Sequence, residues 1–222
     1  MYKIGIAGCY GTGKTLLSLA LSEFMGLPRA HVENLDVLYE DIYGIPKNPH
    51  DFSVSEMLSM GLARFHSRIK QEHKDGFISD GTVLNELAYG KARMNMQKKF
   101  NKLTVKKILF GSTYIKISKR LEKTIINYAQ NNYDTIYFLQ TQGDDEGEQS
   151  EFHKLFNHYF IEILIEHAIP YKILIGNLED SFSEIIADYN ISPVPRKQIN
   201  KLIAQQHLIK KNFPAEYQFA KQ

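Results

Sequence analysis

Short apolar runs alternate along this chain with longer segments whose apolar residues recur at helical spacing. The first run, residues 3–7 (KIGIA), is rich in isoleucine and ends at a glycine turn, as a buried strand does. Apolar residues at helical spacing follow between Lys14 and Phe24, and Gly26 with Pro28 ends that segment. The chain therefore opens with a predicted strand, a glycine-rich turn and a helix.

The same alternation continues along the rest of the chain. Further strands are predicted at 30–34, 76–80, 134–141 and 171–175. Further helices are predicted at 54–73, 84–96, 152–167, 180–188 and 197–211. Because parallel neighbouring strands need helical crossovers, this pattern predicts an α/β fold with a parallel sheet covered by helices on both faces.

Length and composition favour one domain. The 222 residues, 43% of them hydrophobic, suffice for one α/β domain with a full core. Pro193 and Pro195 interrupt the pattern, so we expect a main domain at 1–190 and a C-terminal helical extension at 191–222. The single cysteine, Cys9, excludes an internal disulfide, and we interpret it as a small filler. Because the sequence shows neither a leader nor a run of about 18 apolar residues, we expect a soluble cytoplasmic protein that does not contact membranes.

The charge is distributed unevenly. The formal net charge is +2, yet residues 91–123 contain eleven Lys or Arg and only one acidic residue, Glu122. Aromatic and aliphatic residues are interleaved with these cations. The segment is typical of a solvated helical face, of a lid that closes over a nucleotide, or of a surface that binds nucleic acid.

Residues 8–15 (GCYGTGKT) match the phosphate-loop motif G-x-x-x-x-G-K-[ST], after a predicted strand and at the start of a predicted helix. Glycines let backbone N–H groups turn towards phosphate oxygens, Lys14 reaches the outer phosphates, and the Thr15 hydroxyl ligates Mg²⁺. The motif therefore predicts binding of ATP with Mg²⁺. The predicted nucleotide-binding residues are Gly8, Gly11, Thr12, Gly13, Lys14 and Thr15.

Three carboxylates lie at predicted strand ends. Asp80 ends the strand at 76–80, where a carboxylate would hold Mg²⁺ or orient Thr15; the alternative is a helix N-cap. Glu33 and Asp36 close the second predicted strand, and one of them would accept the proton of an attacking substrate hydroxyl. Either could equally be a solvated loop charge.

Five segments occur in the order seen in a known family, namely GCYGTGKT, VENLD, ISDGTVLNELAYG, YDTIYFLQ and IPYKILIG. Over residues 2–190 the chain resembles the small AAA-type P-loop kinases. These include the nicotinamide riboside kinase domain of bacterial NAD-salvage regulators and, more distantly, thymidylate and deoxynucleoside kinases. The resemblance implies a P-loop NTPase fold with a five-stranded parallel sheet, Mg²⁺ as cofactor, and transfer of the γ-phosphoryl group of ATP to a small nucleoside-like or nucleotide acceptor. It places Glu33 near the acceptor hydroxyl and Asp80 near the metal.

The chain departs from that family at two positions. Gly81 follows the strand-end Asp80 where the family usually has Arg, and the acidic run 143–151 replaces an Arg-containing loop after the fourth strand. Such arginines neutralise charge on the transferring phosphoryl group. We expect a basic helical lid at 91–130 to supply cations instead, with Lys91 and Arg93 the nearest in sequence to the Leu-Ala-Tyr stretch.

The leading hypothesis is therefore a nucleoside or nucleotide kinase. A P-loop kinase that acts on a base or end within DNA is a second hypothesis, favoured by the basic segment 91–123. A nucleotide-gated binding protein without kinase activity is a third, favoured by the missing arginines. The acceptor and the oligomeric state do not follow from the sequence.

Overall fold

The computed structural model describes residues 2–48, 51–72, 75–100, 107–140 and 148–212. Within them the strands are β1 (Lys3–Gly8), β2 (Arg29–Ala30), β3 (Phe77–Asp80), β4 (Thr135–Leu139) and β5 (Tyr171–Leu174). The helices are α1 (Lys14–Met25), α2 (Leu35–Tyr43), α3 (Val54–Gln71), α4 (Val83–Phe100), α5 (Lys107–Asn132), α6 (Glu148–Glu166), α7 (Leu178–Asp188) and α8 (Arg196–Asn212). Among these helices, none is long and apolar enough to cross a membrane.

The five strands form one parallel sheet in the order β2-β3-β1-β4-β5. The predicted five-stranded parallel sheet is confirmed. Strand β1 lies at its centre, with Ile6 opposite Asp80 of β3 and Gly8 opposite Leu139 of β4. Because all strands run the same way, their carboxyl ends meet at one edge, and the loop after β1 lies beside the end of β3.

Each face of the sheet carries its own hydrophobic core, because successive strand side chains point to opposite faces. On one face, strand residues pack against α1, α7 and α8 through Ile4, Ile6, Leu17, Leu21, Phe182, Ile199 and Ile203. On the other, strand residues pack against α4, α5 and α6 through Phe138, Ala88, Ala92, Ile125, Ala129, Phe156 and Phe160. The C-terminal helix therefore belongs to the packed domain rather than standing apart from it.

The second strand is shorter than predicted. It comprises only Arg29–Ala30, and α2 begins at Leu35, so the prediction that Glu33 and Asp36 close this strand was wrong. Leu35, Leu38 and Tyr39 recur at helical spacing and pack with Met60 and Phe52 in a small separate cluster. Asp36 consequently lies in the first turn of a helix and is exposed.

The basic segment is helical where it is described. It comprises the C-terminal part of α4 and most of α5, and the two helices pack against each other. Ala92 at one end and Ile125 and Ala129 at the other are buried in the main core. Residues 101–106 lie outside the described residues, as does the acidic stretch 141–147, so the predicted lid stays a prediction.

Candidate active site

The loop between β1 and α1 is a tight glycine-rich cradle. A Cβ on Gly8 would lie 2.6 Å from the Thr12 hydroxyl oxygen, and one on Gly13 would lie 2.7 Å from Leu178 Cδ2. Gly13 has φ +85°, a left-handed conformation that favours glycine, directly before the first residue of α1. The Thr12 hydroxyl donates to the Cys9 carbonyl at 3.0 Å. Only glycine fits at both ends of this loop.

The N-terminus of α1 is prepared for an anion. No side chain caps this helix, and no acidic residue occupies its first turn. Its first N–H groups thus retain their donor capacity for phosphate oxygens. The Lys14 Nζ donates to the Cys9 carbonyl at 2.9 Å, which holds it over the loop. Burial lowers the pKa of Lys14, although the charge of Asp80 acts in the opposite direction.

Thr15 and Asp80 meet at the end of β3. The Thr15 hydroxyl oxygen lies 3.3 Å from Asp80 Oδ1. These are the two oxygens expected to bind Mg²⁺. Among the described residues, no group of three or more His, Cys, Asp or Glu is arranged to hold a metal. These two oxygens fit a cation that keeps waters and takes its other ligands from phosphates, which is how Mg²⁺ binds in such sites.

Asp80 does not cap the following helix. Helix α4 starts at Val83, so its N-cap is Thr82, whose N–H and hydroxyl both donate to Asn85 Oδ1 at 2.9 and 3.0 Å. The Asn85 amide in turn donates to the Gly8 carbonyl at 3.0 Å and braces the phosphate loop. The Asp80 carboxylate is therefore available for another role.

Two basic residues, Arg29 of β2 and His31 just after it, hold the other oxygen of this carboxylate. Arg29 Nη2 forms an ion pair with Asp80 Oδ2, and His31 Nδ1 lies 2.8 Å from the same oxygen. Burial alone would raise the pKa of Asp80, but the Arg29 charge and the His31 hydrogen bond hold it well below its usual range. Burial lowers the pKa of His31 to about 4, so the imidazole is neutral at pH 7. Asp80 is thus a fixed anion whose Oδ1 faces Thr15.

Two arginines of α3 reach the same edge. Arg68 Nη1 donates to the Ser79 hydroxyl and to the carbonyls of Asp80 and Gly81 at 3.1, 3.0 and 2.9 Å. A Cβ on Gly81 would lie 3.3 Å from Arg68 Nη2. The guanidinium of Arg68 thus lies against the position that follows Asp80.

The second of these arginines, Arg64, joins three parts of the site. It donates to the Glu33 carbonyl, and its Nε lies 2.8 Å from Glu86 Oε1 of α4. The Glu33 side chain is half-buried. Arg64 therefore ties the backbone at Glu33 to α3 and α4, while Asp36 is exposed in the first turn of α2.

The two cations predicted in the basic segment have different surroundings. Lys91 pairs with Glu122 of α5 at 2.8 Å, and both side chains are about one-third exposed. The charge of Arg93 instead influences the pKa of Tyr10 in the phosphate loop. Burial raises the pKa of Tyr10, and the nearby positive charges of Arg93 and Arg64 partly offset that rise. Arg93 lies within electrostatic reach of the phosphate loop.

Aromatic rings line one side of the loop. Tyr10 stacks on Tyr89 with centroids 4.7 Å apart, and Tyr89 stacks in turn on Phe152 at 5.9 Å. Tyr10 remains 44% exposed. Cys9 is fully buried, and this burial raises the pKa of its thiol to about 11, as is typical of an unreactive filler.

Sequence reasoning missed Arg29, His31, Arg64 and Arg68. The two α3 arginines are four residues apart in a helix, which places them on one face. Arg29 and His31 alternate at the end of the second strand, which places them on one side. Both spacings were visible, but nothing in the sequence shows that these faces meet β3.

Comparison with known proteins gives matches in structure alone. No family model and no curated protein matches the sequence. Deoxyadenosine kinase from M. mycoides with bound dATP matches with a TM-score of 0.58 and 16% identity, covering 86% of this chain and 100% of that one. The chain has the P-loop nucleoside kinase fold. Its neighbours with this fold also include the dCTP complex of the same kinase, with a TM-score of 0.57, 14% identity, and coverage of 85% and 98%.

NadR in complex with NR also has this P-loop kinase fold. It matches with a TM-score of 0.58 and 14% identity, over 87% of this chain and 53% of NadR. At identities this low, the structural similarity establishes the fold alone, so the function has to be argued from the site.

Proposed function

We propose that the chain is a kinase that transfers the γ-phosphoryl group of Mg·ATP to a hydroxyl of a small nucleoside-like acceptor. The observation that carries the proposal is the meeting of Lys14, Thr15 and Asp80 at the edge of the sheet, with Arg64 reaching the adjoining loop. A phosphate-binding lysine, two metal-ligating oxygens and an added cation are the parts that phosphoryl transfer requires.

Each residue has a role set by its position. Bound Mg·ATP supplies the phosphoryl group and the charge of the metal. Lys14 and the N-terminus of α1 hold the outer phosphates, and Thr15 with Asp80 Oδ1 holds Mg²⁺. Arg64 offsets negative charge on the transferring group, a contribution that reaches several powers of ten in related chemistry.

Glu33 is the residue we assign to the acceptor. Its carboxylate accepts the proton of the attacking hydroxyl while the new O–P bond forms and the bond to the ADP oxygen breaks. Asp36 is exposed on α2 and is less suited to this role. Tyr10 offers an exposed aromatic surface beside the phosphate loop, which suits a ring-containing acceptor. The dATP, dCTP and NR bound in the structural neighbours support acceptors of this class.

An ATP-consumption screen tests the proposal. Mg·ATP is offered with nucleosides, nucleotides, nicotinamide riboside and short DNA, and the phosphorylated product is identified by mass. We expect turnover with a nucleoside-like acceptor and none for Lys14→Ala. ATP binding without any product would support a nucleotide-gated binding protein instead. Product on DNA alone, with salt-sensitive affinity, would favour the DNA-acting kinase.

A further inference from the structure

An open cleft of about 450 Å³ adjoins the phosphate loop on the side away from Tyr10 and Tyr89. Its lining comes from three separate parts of the chain, namely Thr12 of the loop, the turn and first residues of α7, and α8. Leu178 of α7 packs directly over Gly13, so the cleft is continuous with the cradle for phosphates. A molecule held in the cleft would lie next to a polyphosphate in the loop.

Helix α8 forms a fixed wall of this cleft. Ile199 and Ile203 are 1% and 6% exposed and belong to the core that α1 and α7 share. Ile203 also lines the cleft, together with Asn200 and Ala204 one turn apart on the same helix. Core packing of Ile199 and Ile203 therefore sets the position of α8, and Asn200 and Ala204 stay exposed on it.

The polar groups of the cleft favour a particular base. They include two carboxamides, Asn177 and Asn200, and one carboxylate, Glu179; none of the residues described as lining the cleft is Lys or Arg. Asn177 Oδ1 accepts from the Asp180 N–H at 2.8 Å as the cap of α7, so its amide NH₂ faces outward as a donor. A carboxamide matches the adjacent amino group and ring nitrogen of adenine, whereas guanine is bound best by a cation.

We propose that α8 completes the binding site for the donor base and that Asn200 selects adenine over guanine. This inference rests on the proposed function, because it assumes that a nucleoside triphosphate occupies the phosphate loop. It extends the nucleotide site to a helix that lies beyond the main domain predicted from the sequence. It also explains why an open, cation-poor cleft directly adjoins Thr12 and Leu178.

Calorimetry with four Mg²⁺ complexes tests this inference on the full chain. The probes are ATP, GTP, CTP and inorganic tripolyphosphate, which has no base. In Asn200→Ala we expect the preference for ATP over GTP to fall about tenfold, the contribution of one bidentate base contact. In Ala204→Phe the added ring should occupy the cleft and weaken ATP binding. Both variants should bind tripolyphosphate as the wild type does. Gln198→Ala, on the exposed side of the same helix, is the matched control and should behave as wild type.

The outcomes separate this inference from the proposed function. Suppose that the wild type binds ATP and Lys14→Ala does not, but both α8 variants keep the ATP affinity and base preference of the wild type. The proposed role of α8 is then wrong, and the assignment of the phosphate loop is unaffected. If the α8 variants lose affinity for tripolyphosphate and for ATP equally, α8 supports the fold and does not contact the base. That result also overturns the inference. If the wild type binds neither ATP nor tripolyphosphate, the proposed function fails and the inference fails with it.

Discussion

Replacing Asp80 by Asn removes the negative charge opposite Arg29 without changing the shape of the side chain. In the folded protein the two side chains are 2% and 6% exposed, so Arg29 would lose the carboxylate that it pairs with while it stays buried. Breaking a buried pair in this way costs about 3 kcal/mol or more. For a domain of this size each kcal/mol lowers Tm by about 2–4 °C, so we expect Tm to fall by about 6–12 °C.

The double variant Arg29→Met with Asp80→Asn is the control for this reasoning. It removes both charges of this pair, so it should be less destabilised than the sum of its single variants. The measurement is denaturant unfolding at pH 7 without nucleotide, followed by Mg²⁺ titration of ATP binding. A loss below about 1 kcal/mol in Asp80→Asn, or full additivity in the double variant, would refute the buried-pair argument.

The effect of Asp80→Asn on stability should depend on pH with a definite sign. Because the pKa of Asp80 is held below its usual range in the fold, its stabilisation is present above the unfolded pKa of about 3.9 and is lost as pH falls below it. The difference in unfolding free energy between wild type and Asp80→Asn should stay constant from about pH 7 to 5 and shrink below about pH 4.

Three other variants test separate parts of the site. Lys14→Ala should remove most Mg·ATP affinity by calorimetry while Tm changes little; unchanged affinity in a folded variant would contradict the assignment of the phosphate loop. Gly13→Ala should lose nucleotide binding and about 1–3 kcal/mol of stability, because its Cβ meets Leu178 and its φ is +85°. In Gly11→Ala, φ is +78° but nothing lies within 4 Å of the added Cβ, so the variant should lose only the stability that backbone strain costs. Arg93→Ala should lower turnover more than Lys91→Ala does, since Lys91 pairs with Glu122; an equal loss in both variants would contradict this difference.

The sheet and its order of elements were predictable because their signals are local. Ile-rich runs mark the strands, and parallel strands bring their carboxyl ends to one edge whatever the loops do. That rule alone suffices to place Asp80 beside Thr15. The end of the second strand was not predictable in this way, because the sequence predicts a strand at 30–34, whereas β2 ends at Ala30 and α2 begins at Leu35. Tertiary packing of α2 on α3 decides that boundary.

The cations of the site could not be assigned from sequence, because they come from elements far from the motif. Arg68 lies twelve residues before Asp80 and reaches its carbonyl only because α3 packs against β2 and α4. The sequence pointed to Lys91 and Arg93 by proximity to the Leu-Ala-Tyr stretch, and a helix turns these two side chains to different sides. Contacts between helix faces depend on packing, which spacing does not encode.

The central place of β1 also has a consequence for how the protein is made. Ile4 pairs with Ile78 on one side and with Thr135 on the other, so β1 waits for partners that are synthesised much later. Closing such long loops is slow, and an apolar unpaired strand exposed meanwhile is prone to associate with other chains. The phosphate loop that follows β1 is therefore held in shape only after β3 and β4 have also been translated.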